Sequence, residues 1–430
     1  MIPQDTTNRI HGILVRIKGF ILATSRNNRI LKRLAIVNFV YIVIVFLMYQ
    51  SADISTGFEA FSIKVRIFLF WLLGMTLIIF IVGNGISEMI YRKGFEKIGF
   101  KNSVDSYPIL IDKYLVSELM ILTFDSSGIA YDAWEDNLLK IENVLNITIS
   151  EIKTGNRDDE IIVKAYSGKY DWNESIRWSG NYLLDGCNLL IGQSVGGNII
   201  LNLDTYAHVL IGGMTGSGKT ILLKQLLLQC IAKGYQVYIA DFKLGVDYTQ
   251  TWKEKCTFMT KRMAVISNLR IIVNELDNRL TLFAEHGCKD IDSFNSIIDG
   301  ELERIIFSCD ELTELLDTTG MDKEEKTQIK EIESHISKIA RLGRAVGIHL
   351  ILSTQRPDAD ILNGQIKSNM TYRLCGRANE VLSRIILDST DASKLIPKDA
   401  KGVFINQDGI RIKGFDIKNE DLGKSLSKTF

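Results

Sequence analysis

The chain has 430 residues, of which 51 are Lys or Arg and 51 are Asp or Glu, so its formal net charge is zero. This length predicts about two or three domains. The charge balance excludes a uniformly basic nucleic-acid-binding surface, so any such contact must come from a local patch or from a pore that several subunits line. The six cysteines form no CxxC pair and no zinc-ligand spacing, which predicts reduced thiols in a cytosolic core.

Two apolar runs without a charged residue lie near the N-terminus, at 34–50 (LAIVNFVYIVIVFLMYQ) and 67–86 (IFLFWLLGMTLIIFIVGNGI). A helix that crosses a bilayer needs about 20 mostly apolar residues. No small-residue cleavage site follows the first run, which argues against a signal peptide. Buried core helices are the alternative, but the absence of any charge across either run favours two transmembrane helices.

Basic residues flank both runs. Those before the first run are Arg9, Arg16, Lys18, Arg26, Arg29, Lys32 and Arg33, and those after the second are Arg92, Lys93, Lys97 and Lys101. Because Lys and Arg are retained on the cytoplasmic side, this distribution predicts a multi-pass protein of the cell membrane. Both termini and the large C-terminal part would then lie in the cytoplasm. The pattern at 10–22 predicts an amphipathic helix at the membrane surface.

The region at 87–184 mixes short helical and strand patterns, with an alternating strand at 161–168 and a Gly-Asn turn at 155–156. These features predict a small α+β adaptor domain. From about residue 185, apolar strands alternate with long helices, which predicts an α/β fold with a mostly parallel sheet covered by helices. The predicted strands are 208–213, 236–241, 304–311, 348–354 and 371–377, and the predicted helices are 221–234, 263–286 and 326–347.

The segment GMTGSGKT at 213–220 matches the phosphate-binding pattern GxxxxGK[ST]. Its glycines let backbone N–H groups curl round a phosphate, and the following helix presents its positive N-terminus to the same anion. A chance glycine turn is the alternative, but the segment leaves an apolar strand and enters an apolar-faced helix, as a phosphate loop requires. The predicted nucleotide-binding residues are Gly213, Met214, Thr215, Gly216, Ser217, Gly218, Lys219 and Thr220.

Within this loop, Lys219 is expected to reach the β- and γ-phosphates of ATP, and the Thr220 hydroxyl to ligate Mg²⁺. Asp310 and Glu311 close a predicted strand, at the end where ligands bind in open α/β sheets. Asp310 is therefore the second predicted Mg²⁺ ligand, and Glu311 is the predicted general base that polarises water. An acidic pair that merely caps a helix is the alternative. Gln355, after the next strand, is a candidate sensor of the γ-phosphate or water, or else an ordinary loop residue.

Several ordered segments resemble the FtsK/SpoIIIE family of DNA translocases, within the wider HerA-like group. They are AHVLIGGMTGSGKT (207–220), VNELDNRLTLFAEHGCKDIDSFN (273–295), RLGRAVGIHLILSTQRPDADILNGQIKSNMTYRL (341–374) and SRIILD (383–388). The resemblance covers residues from roughly 190 to 406. Val346 departs from the family's second alanine, and Ser308 and Cys309 make the acidic strand less apolar than usual.

The resemblance implies a RecA-like P-loop ATPase that assembles as a homo-oligomer, a hexameric ring, and threads double-stranded DNA through its pore. It also implies that ATP lies between subunits, where an arginine from one subunit completes its neighbour's site. Arg384 is the first candidate for that catalytic role and Arg344 the second, with surface salt bridges as the alternative. Two basic sets are candidate DNA contacts: Lys253, Lys255, Lys261 and Arg262, and Lys394, Lys398, Lys401, Arg411 and Lys413.

The resulting organisation is a cytosolic segment (1–33), a two-helix membrane anchor (34–86), the adaptor (87–184), the FtsK-like ATPase domain (185–415) and a tail (416–430). This architecture is similar to Tcp-type coupling proteins of Gram-positive conjugative plasmids and integrative elements. That similarity implies partners among relaxases and conjugation channel proteins. The alternatives are a chromosome translocase of division or sporulation, and an FtsK-like ATPase of a protein secretion system.

Overall fold

The computed structural model describes residues 28–51, 58–82, 85–298, 302–356 and 364–426. The chain divides between Tyr170 and Asp171 into two compact units. The predicted surface helix at 10–22, with the rest of 1–27, lies outside the described residues, as does the segment 357–363 of the family-like stretch.

The first unit opens with two helices, α1 (Asn28–Ser51) and α2 (Phe58–Val82). They contact each other through Tyr41, whose ring centroid lies 5.8 Å from that of Phe70 and whose hydroxyl donates to the Phe70 carbonyl. Across the described residues, no helix combines the length and the apolarity that a bilayer crossing demands. The structure therefore does not support the two crossings predicted at 34–50 and 67–86.

The rest of the first unit is a four-stranded antiparallel sheet, in the order β1-β2-β4-β3, with helices packed on it. An aromatic cluster of Phe95, Phe100, Phe124 and Trp134 joins helix to sheet, with ring centroids 5.0–5.6 Å apart. The elements are α3 (Gly85–Lys97), β1 (Ile109–Val116), β2 (Leu119–Asp125), α4 (Tyr131–Asp136), α5 (Leu138–Leu145), β3 (Ile147–Thr154) and β4 (Glu160–Ser167).

The second unit is an α/β domain. Its strands are β5 (Ile176–Arg177), β6 (Asn188–Ser194), β7 (Gly197–Asn202), β8 (His208–Gly212), β9 (Gln236–Ala240), β10 (Thr257–Met259), β11 (Ile305–Cys309), β12 (Ile348–Thr354), β13 (Tyr372–Gly376), β14 (Val403–Asn406), β15 (Arg411–Lys413) and β16 (Phe415–Asp416). Its helices are α6 (Lys219–Ala232), α7 (Gln250–Lys255), α8 (Arg262–His286), α9 (Ile291–Asn295), α10 (Leu312–Leu316), α11 (Lys323–Val346), α12 (Gly364–Asn369), α13 (Glu380–Leu387), α14 (Asp391–Leu395) and α15 (Asp421–Leu426).

Within the described residues, the main sheet has ten strands in the order β10-β9-β11-β12-β8-β13-β14-β15-β6-β7. The six strands from β10 to β13 are mutually parallel, and the other four extend the sheet in antiparallel fashion. Strands β8, β11 and β12 are buried along their whole length, as continuous apolar runs in the middle of a parallel sheet should be. The predicted α/β fold is confirmed, and the antiparallel extension is an addition to it.

Both ends of the second unit are tied together. Strand β5 pairs with β16 in parallel, the Trp178 and Phe415 rings meet at 5.6 Å, and Arg177 forms an ion pair with Asp421 at 2.8 Å. Residues 171–184, predicted to end the adaptor, therefore fold with the ATPase domain. Residues 416–426 of the predicted tail do so as well, because the side chain of Leu422 in α15 is buried in the same core.

Helix α11 approaches β12 closely, because Gly343 leaves no room for a side chain. A Cβ at Gly343 would overlap the backbone carbonyl oxygen of Ile348. We expect Gly343→Ala to lower the free energy of unfolding by about 3 kcal/mol, since overpacking against backbone cannot relax cheaply. Gly423→Ala in α15 is the matched control, because nothing lies within 4 Å of its Cβ position. The control should be neutral or stabilising by about 0.5–1 kcal/mol in the same denaturant titration.

Candidate nucleotide-binding site

The predicted phosphate loop runs from the end of β8 into the first turn of α6. Three of its glycines have positive φ angles, 146° at Gly213, 77° at Gly216 and 102° at Gly218. A Cβ at Gly213 would lie 2.7 Å from the Ser217 hydroxyl, and one at Gly218 would lie 3.0 Å from Gly402. Only glycine combines these backbone angles with such close approach, so the sequence pattern is realised as a phosphate-sized backbone cradle.

Lys219 folds back over this cradle. Its ammonium group donates to the Gly213 carbonyl at 2.6 Å, and the residue is only 5% exposed. Burial lowers the pKa of Lys219 to about 8, although the charges of Glu311 and Asp310 oppose that change. The ammonium therefore lies where a β- or γ-phosphate would replace the carbonyl as its partner.

Asp310 lies beside the first turn of α6, at the end of β11. Its carboxylate accepts one hydrogen bond from the Thr220 hydroxyl at 3.2 Å and one from the Lys243 ammonium at 3.1 Å. A hydroxyl and a carboxylate in contact form the donor set that Mg²⁺ takes beside phosphates. Thr220 and Asp310 therefore fit Mg²⁺, and the Lys243 ammonium already contacts the Asp310 carboxylate.

Glu311 caps the N-terminus of α10. Its carboxylate accepts a hydrogen bond from the backbone N–H of Thr313 at 3.4 Å. The same carboxylate also accepts from the Thr354 hydroxyl at 3.2 Å and from the Gln355 backbone N–H at 3.1 Å. Strand β12 lies between β11 and β8, which explains why the end of β12 meets the acidic pair. Glu311 is thus both a helix cap and a link to Gln355. The helix-cap interpretation of the acidic pair and the catalytic one are therefore compatible.

Gln355 bridges the acidic pair and the phosphate loop. Its side-chain oxygen accepts from the Thr215 hydroxyl at 2.7 Å, while its backbone N–H donates to Glu311. On the other side of the loop, Arg377 donates to the Thr215 carbonyl at 3.3 Å and accepts, through its own carbonyl, from the Met214 N–H at 2.8 Å. Gln355 is therefore placed to sense a change in the loop.

A cavity of about 760 Å³ opens over the loop, which is large enough for a nucleotide. Of the predicted residues, it is lined by Thr215, Gly216, Gly218, Lys219, Thr220 and Gln355. It is also lined by Lys401 and Lys413, which the sequence assigned to a candidate DNA-contact set, and by Asn173, Lys243 and Asp416, which the sequence assigned to no site. No motif marks these residues for a nucleotide site: Lys243 follows β9, Lys413 lies in β15, and Asp416 lies in β16, which pairs with β5.

Neither candidate arginine lies in this cavity. Arg344 is exposed near the end of α11 and donates to the Asp204 carbonyl at 2.8 Å, beside a separate cavity. Arg384 is exposed on α13, which packs against the end of β8 through Ile386. A role for either arginine in the site of a neighbouring subunit stays a prediction.

Two residues of the second basic set, the candidate DNA contacts at 394–413, are buried. Arg411 and Lys413 are only 6% and 5% exposed, because β15 is an inner strand of the sheet. The Arg411 guanidinium lies over the Trp172 ring at 5.0 Å, and the Lys413 ammonium donates to the carbonyls of Trp172 and Lys401. The prediction that these two side chains contact DNA is therefore wrong for this arrangement.

The lowered pKa of Lys219 has a measurable consequence at this site. Above pH 8 the ammonium is largely deprotonated in the nucleotide-free protein, whereas a bound triphosphate favours its charged form. Nucleotide binding should therefore take up nearly one proton at pH 9 and almost none at pH 7. Titration calorimetry in two buffers of different ionisation enthalpy measures this uptake. Equal uptake at both pH values would contradict it, and Lys219→Met should abolish the uptake at pH 9.

Comparison with known proteins agrees with this geometry. A family model described as the FtsK/SpoIIIE family matches residues 185–329, the part of the chain that holds the phosphate loop and the acidic pair. The solved structure of the pCW3 conjugation coupling protein TcpA, in its monomer form with ATPgS, is 32% identical in sequence. It superposes with a TM-score of 0.61, covering 80% of this chain and 99% of that one. The chain belongs to the FtsK/SpoIIIE family.

Curated relatives in this family are longer proteins. The DNA translocase FtsK of Caldanaerobacter subterraneus subsp. tengcongensis is 31% identical over 251 residues, which is 54% of this chain and 33% of that protein. The DNA translocase SftA of Bacillus subtilis is 30% identical over 252 residues, 55% of this chain and 26% of that protein. The chain thus spans about a third or less of these FtsK/SpoIIIE proteins. The resemblance drawn from the sequence is confirmed, and the P-loop ATPase fold is shared.

Proposed function

We propose that the chain is an ATP-driven translocase of double-stranded DNA that binds ATP and Mg²⁺ in the cavity over the phosphate loop. The observation that carries the proposal is that Lys219 and Thr220 line one cavity of about 760 Å³, while the Thr220 hydroxyl donates a hydrogen bond to Asp310. The similarity to a coupling protein determined with ATPgS supports the choice of nucleotide.

The side chains divide the chemistry between them. Thr220 and Asp310 would hold Mg²⁺, which supplies charge neutralisation at the β- and γ-phosphates. Lys219 binds the same phosphates once they displace the Gly213 carbonyl. Glu311 orients and deprotonates water, and it must first give up part of its contacts with Thr354 and Gln355. Gln355, tied to Thr215, would connect phosphate binding to that release.

DNA is proposed to bind in the pore of a homo-oligomeric ring, a hexamer by family resemblance. Because the chain has no net charge, the contacts would come from local basic groups facing the channel. Of the predicted sets, Lys253, Lys255, Lys261 and Arg262 remain candidates, as do Lys394, Lys398 and Lys401. Such contacts go mainly to phosphates, so binding should be insensitive to sequence and should weaken with salt.

Within the family, we favour the coupling protein of a conjugative plasmid or integrative element. The TcpA structure is 32% identical and its match covers 80% of this chain, whereas the FtsK and SftA matches cover 54% and 55% of it. The relaxase and channel proteins of such an element are the proposed partners. The uncharged runs at 34–50 and 67–86 support a location at the cell membrane, with the ATPase domain in the cytoplasm. Extraction of membranes with alkaline carbonate tests this location, and release of the chain into the supernatant would refute it.

The decisive experiment measures ATP hydrolysis by the purified full-length chain with and without linear duplex DNA. We expect Mg²⁺-dependent hydrolysis that duplex DNA stimulates several-fold, with a smaller effect from single strands. Hydrolysis that is indifferent to duplex DNA would refute the translocase. Transfer frequency in a deletion strain, complemented with the wild type or with Glu311→Gln, tests the conjugative role separately.

A further inference from the structure

Lys243 is the cation that contacts Asp310, and no motif assigned it to the site. It follows β9 in the segment Asp241-Phe-Lys, next to β11 in the sheet, and its ammonium lies 3.1 Å from the Asp310 carboxylate. The Asp310 side chain is 6% exposed, whereas that of Lys243 is 44% exposed and lines the nucleotide cavity. The lysine therefore reaches the carboxylate from the cavity side, with solvent behind it.

The backbone around Lys243 is held firmly. The buried carboxylate of Asp241 accepts from the N–H groups of Lys243 and Gly245, both at 2.9 Å. Leu244 between them has a φ of 62°, a left-handed conformation that a leucine adopts only when its surroundings impose it. The base of the Lys243 side chain is thus fixed, while its exposed end can move between partners.

The ammonium of Lys243 lies among acidic groups. Its direct partner is Asp310, and the charges of Asp247 and Asp241 also act on it. The nearby ammonium groups of Lys219 and Lys224 have other partners: Lys219 donates to the Gly213 carbonyl, and Lys224 donates to the Asp247 carbonyl and to Asn419. Among the described residues, Lys243 alone forms an ion pair with Asp310.

The two carboxylate oxygens of Asp310 accept hydrogen bonds from different donors. One oxygen accepts from Thr220, the other predicted Mg²⁺ ligand, and the other oxygen accepts from Lys243. A divalent cation that binds both Thr220 and Asp310 would approach the same carboxylate and compete with the ammonium for its negative charge. Two cations at one buried carboxylate repel each other, so binding of the divalent cation weakens the contact of the ammonium with Asp310.

We propose that Lys243 is a placeholder cation, which neutralises Asp310 in the nucleotide-free site and is displaced when Mg²⁺ and nucleotide bind. This inference rests on the proposed function of the same site. The exposed side chain of Lys243 then turns into the cavity, where its new partner is a phosphate of the nucleotide. Loading of the site would therefore exchange one cation for another at Asp310 and never leave the carboxylate unpaired.

The test uses Lys243→Met in the full-length chain, with Lys253→Met as the matched control. Lys253 packs its stem near Gly245 in the same neighbourhood, 3.3 Å from the Cβ position, but forms no bond to Asp310. Two quantities are measured. One is the melting temperature of nucleotide-free protein in EDTA and in millimolar Mg²⁺, and the other is the Mg²⁺ concentration that half-saturates binding of a non-hydrolysable ATP analogue.

In Lys243→Met we expect a melting temperature in EDTA several degrees below the wild type, with Mg²⁺ alone restoring most of the loss. The half-saturating Mg²⁺ concentration should fall several-fold, because a competitor has been removed. Lys243→Arg, which keeps a cation, should melt like the wild type, as should Lys253→Met.

Unchanged melting and unchanged Mg²⁺ dependence in Lys243→Met would overturn the inference while leaving the nucleotide site in place. A rise in the half-saturating Mg²⁺ concentration would also overturn it, since the lysine would then assist loading. A wild-type protein that fails to bind the analogue at any Mg²⁺ concentration would instead refute the proposed function.

Discussion

Replacing Lys219 with alanine should reduce ATP hydrolysis by about 10³-fold, the size of effect that follows from losing a pre-positioned donor to a reacting phosphate. The ammonium is 5% exposed and lies directly over the cradle formed by Gly213 and Gly218. Within the described residues, no second ammonium bonds to the loop backbone, so no other lysine already occupies its position. Affinity for a non-hydrolysable ATP analogue should fall as well, because the same group binds the ground-state phosphates.

The stability of this variant separates loss of chemistry from loss of fold. Burial lowers the pKa of Lys219, which means that the folded state disfavours the charged form at neutral pH. Removing the charge should therefore leave the melting temperature at pH 7 unchanged or slightly raised. Lys326→Ala on the surface of α11 is the control and should keep wild-type hydrolysis. Hydrolysis by Lys219→Ala within tenfold of the wild type would contradict the assignment.

The parallel half of the domain could be predicted from local patterns. Strand β12 was predicted at 348–354 and is observed at Ile348–Thr354, and the strand–loop–helix unit at 208–234 agrees within two residues. Long apolar runs flanked by glycines carry that information. The antiparallel strands β14 and β15 have four and three residues, and such short segments show no alternation that separates them from loops.

The candidate site was predictable only where a motif marks it. The phosphate loop and the acidic pair meet as expected, because their strands are separated by β12 alone. Lys243 was missed because Asp-Phe-Lys after a strand looks like an ordinary turn, and its contact with Asp310, 67 residues away, depends on β9 lying next to β11. Arg411 and Lys413 were misjudged for the converse reason, since a basic residue reads as exposed until its strand is known to be central.

The contacts of Glu311 imply that this carboxylate serves two states of the protein. In the arrangement observed, it is 8% exposed and accepts hydrogen bonds from Thr313, Thr354 and Gln355. A carboxylate whose oxygens already accept several hydrogen bonds has fewer lone pairs left to accept a proton from water. Activation therefore requires that some of them open, and the one shared with Gln355 is linked through Thr215 to the phosphate loop. Nucleotide binding is the event that can move Thr215.

Glu311→Gln should consequently abolish hydrolysis, by about 10²–10³-fold, while keeping nucleotide affinity within about threefold of the wild type. The amide retains one acceptor oxygen for the Gln355 N–H and the Thr354 hydroxyl, so the loop geometry should survive. Its NH₂ group would face the Gln355 N–H, which now donates to the second carboxylate oxygen as well, and this should cost about 1 kcal/mol of stability. Single-turnover hydrolysis and equilibrium binding of an ATP analogue measure the two effects separately.

Glu314→Gln provides the matched control, because this glutamate lies exposed on the same short helix α10. It should hydrolyse ATP at the wild-type rate. Hydrolysis by Glu311→Gln within tenfold of the wild type would exclude Glu311 as the base and would reduce it to the cap of α10. Loss of binding and hydrolysis together would show that its hydrogen bonds to Thr354 and Gln355 maintain the site, because a group that acts only on the attacking water cannot alter the affinity for bound nucleotide.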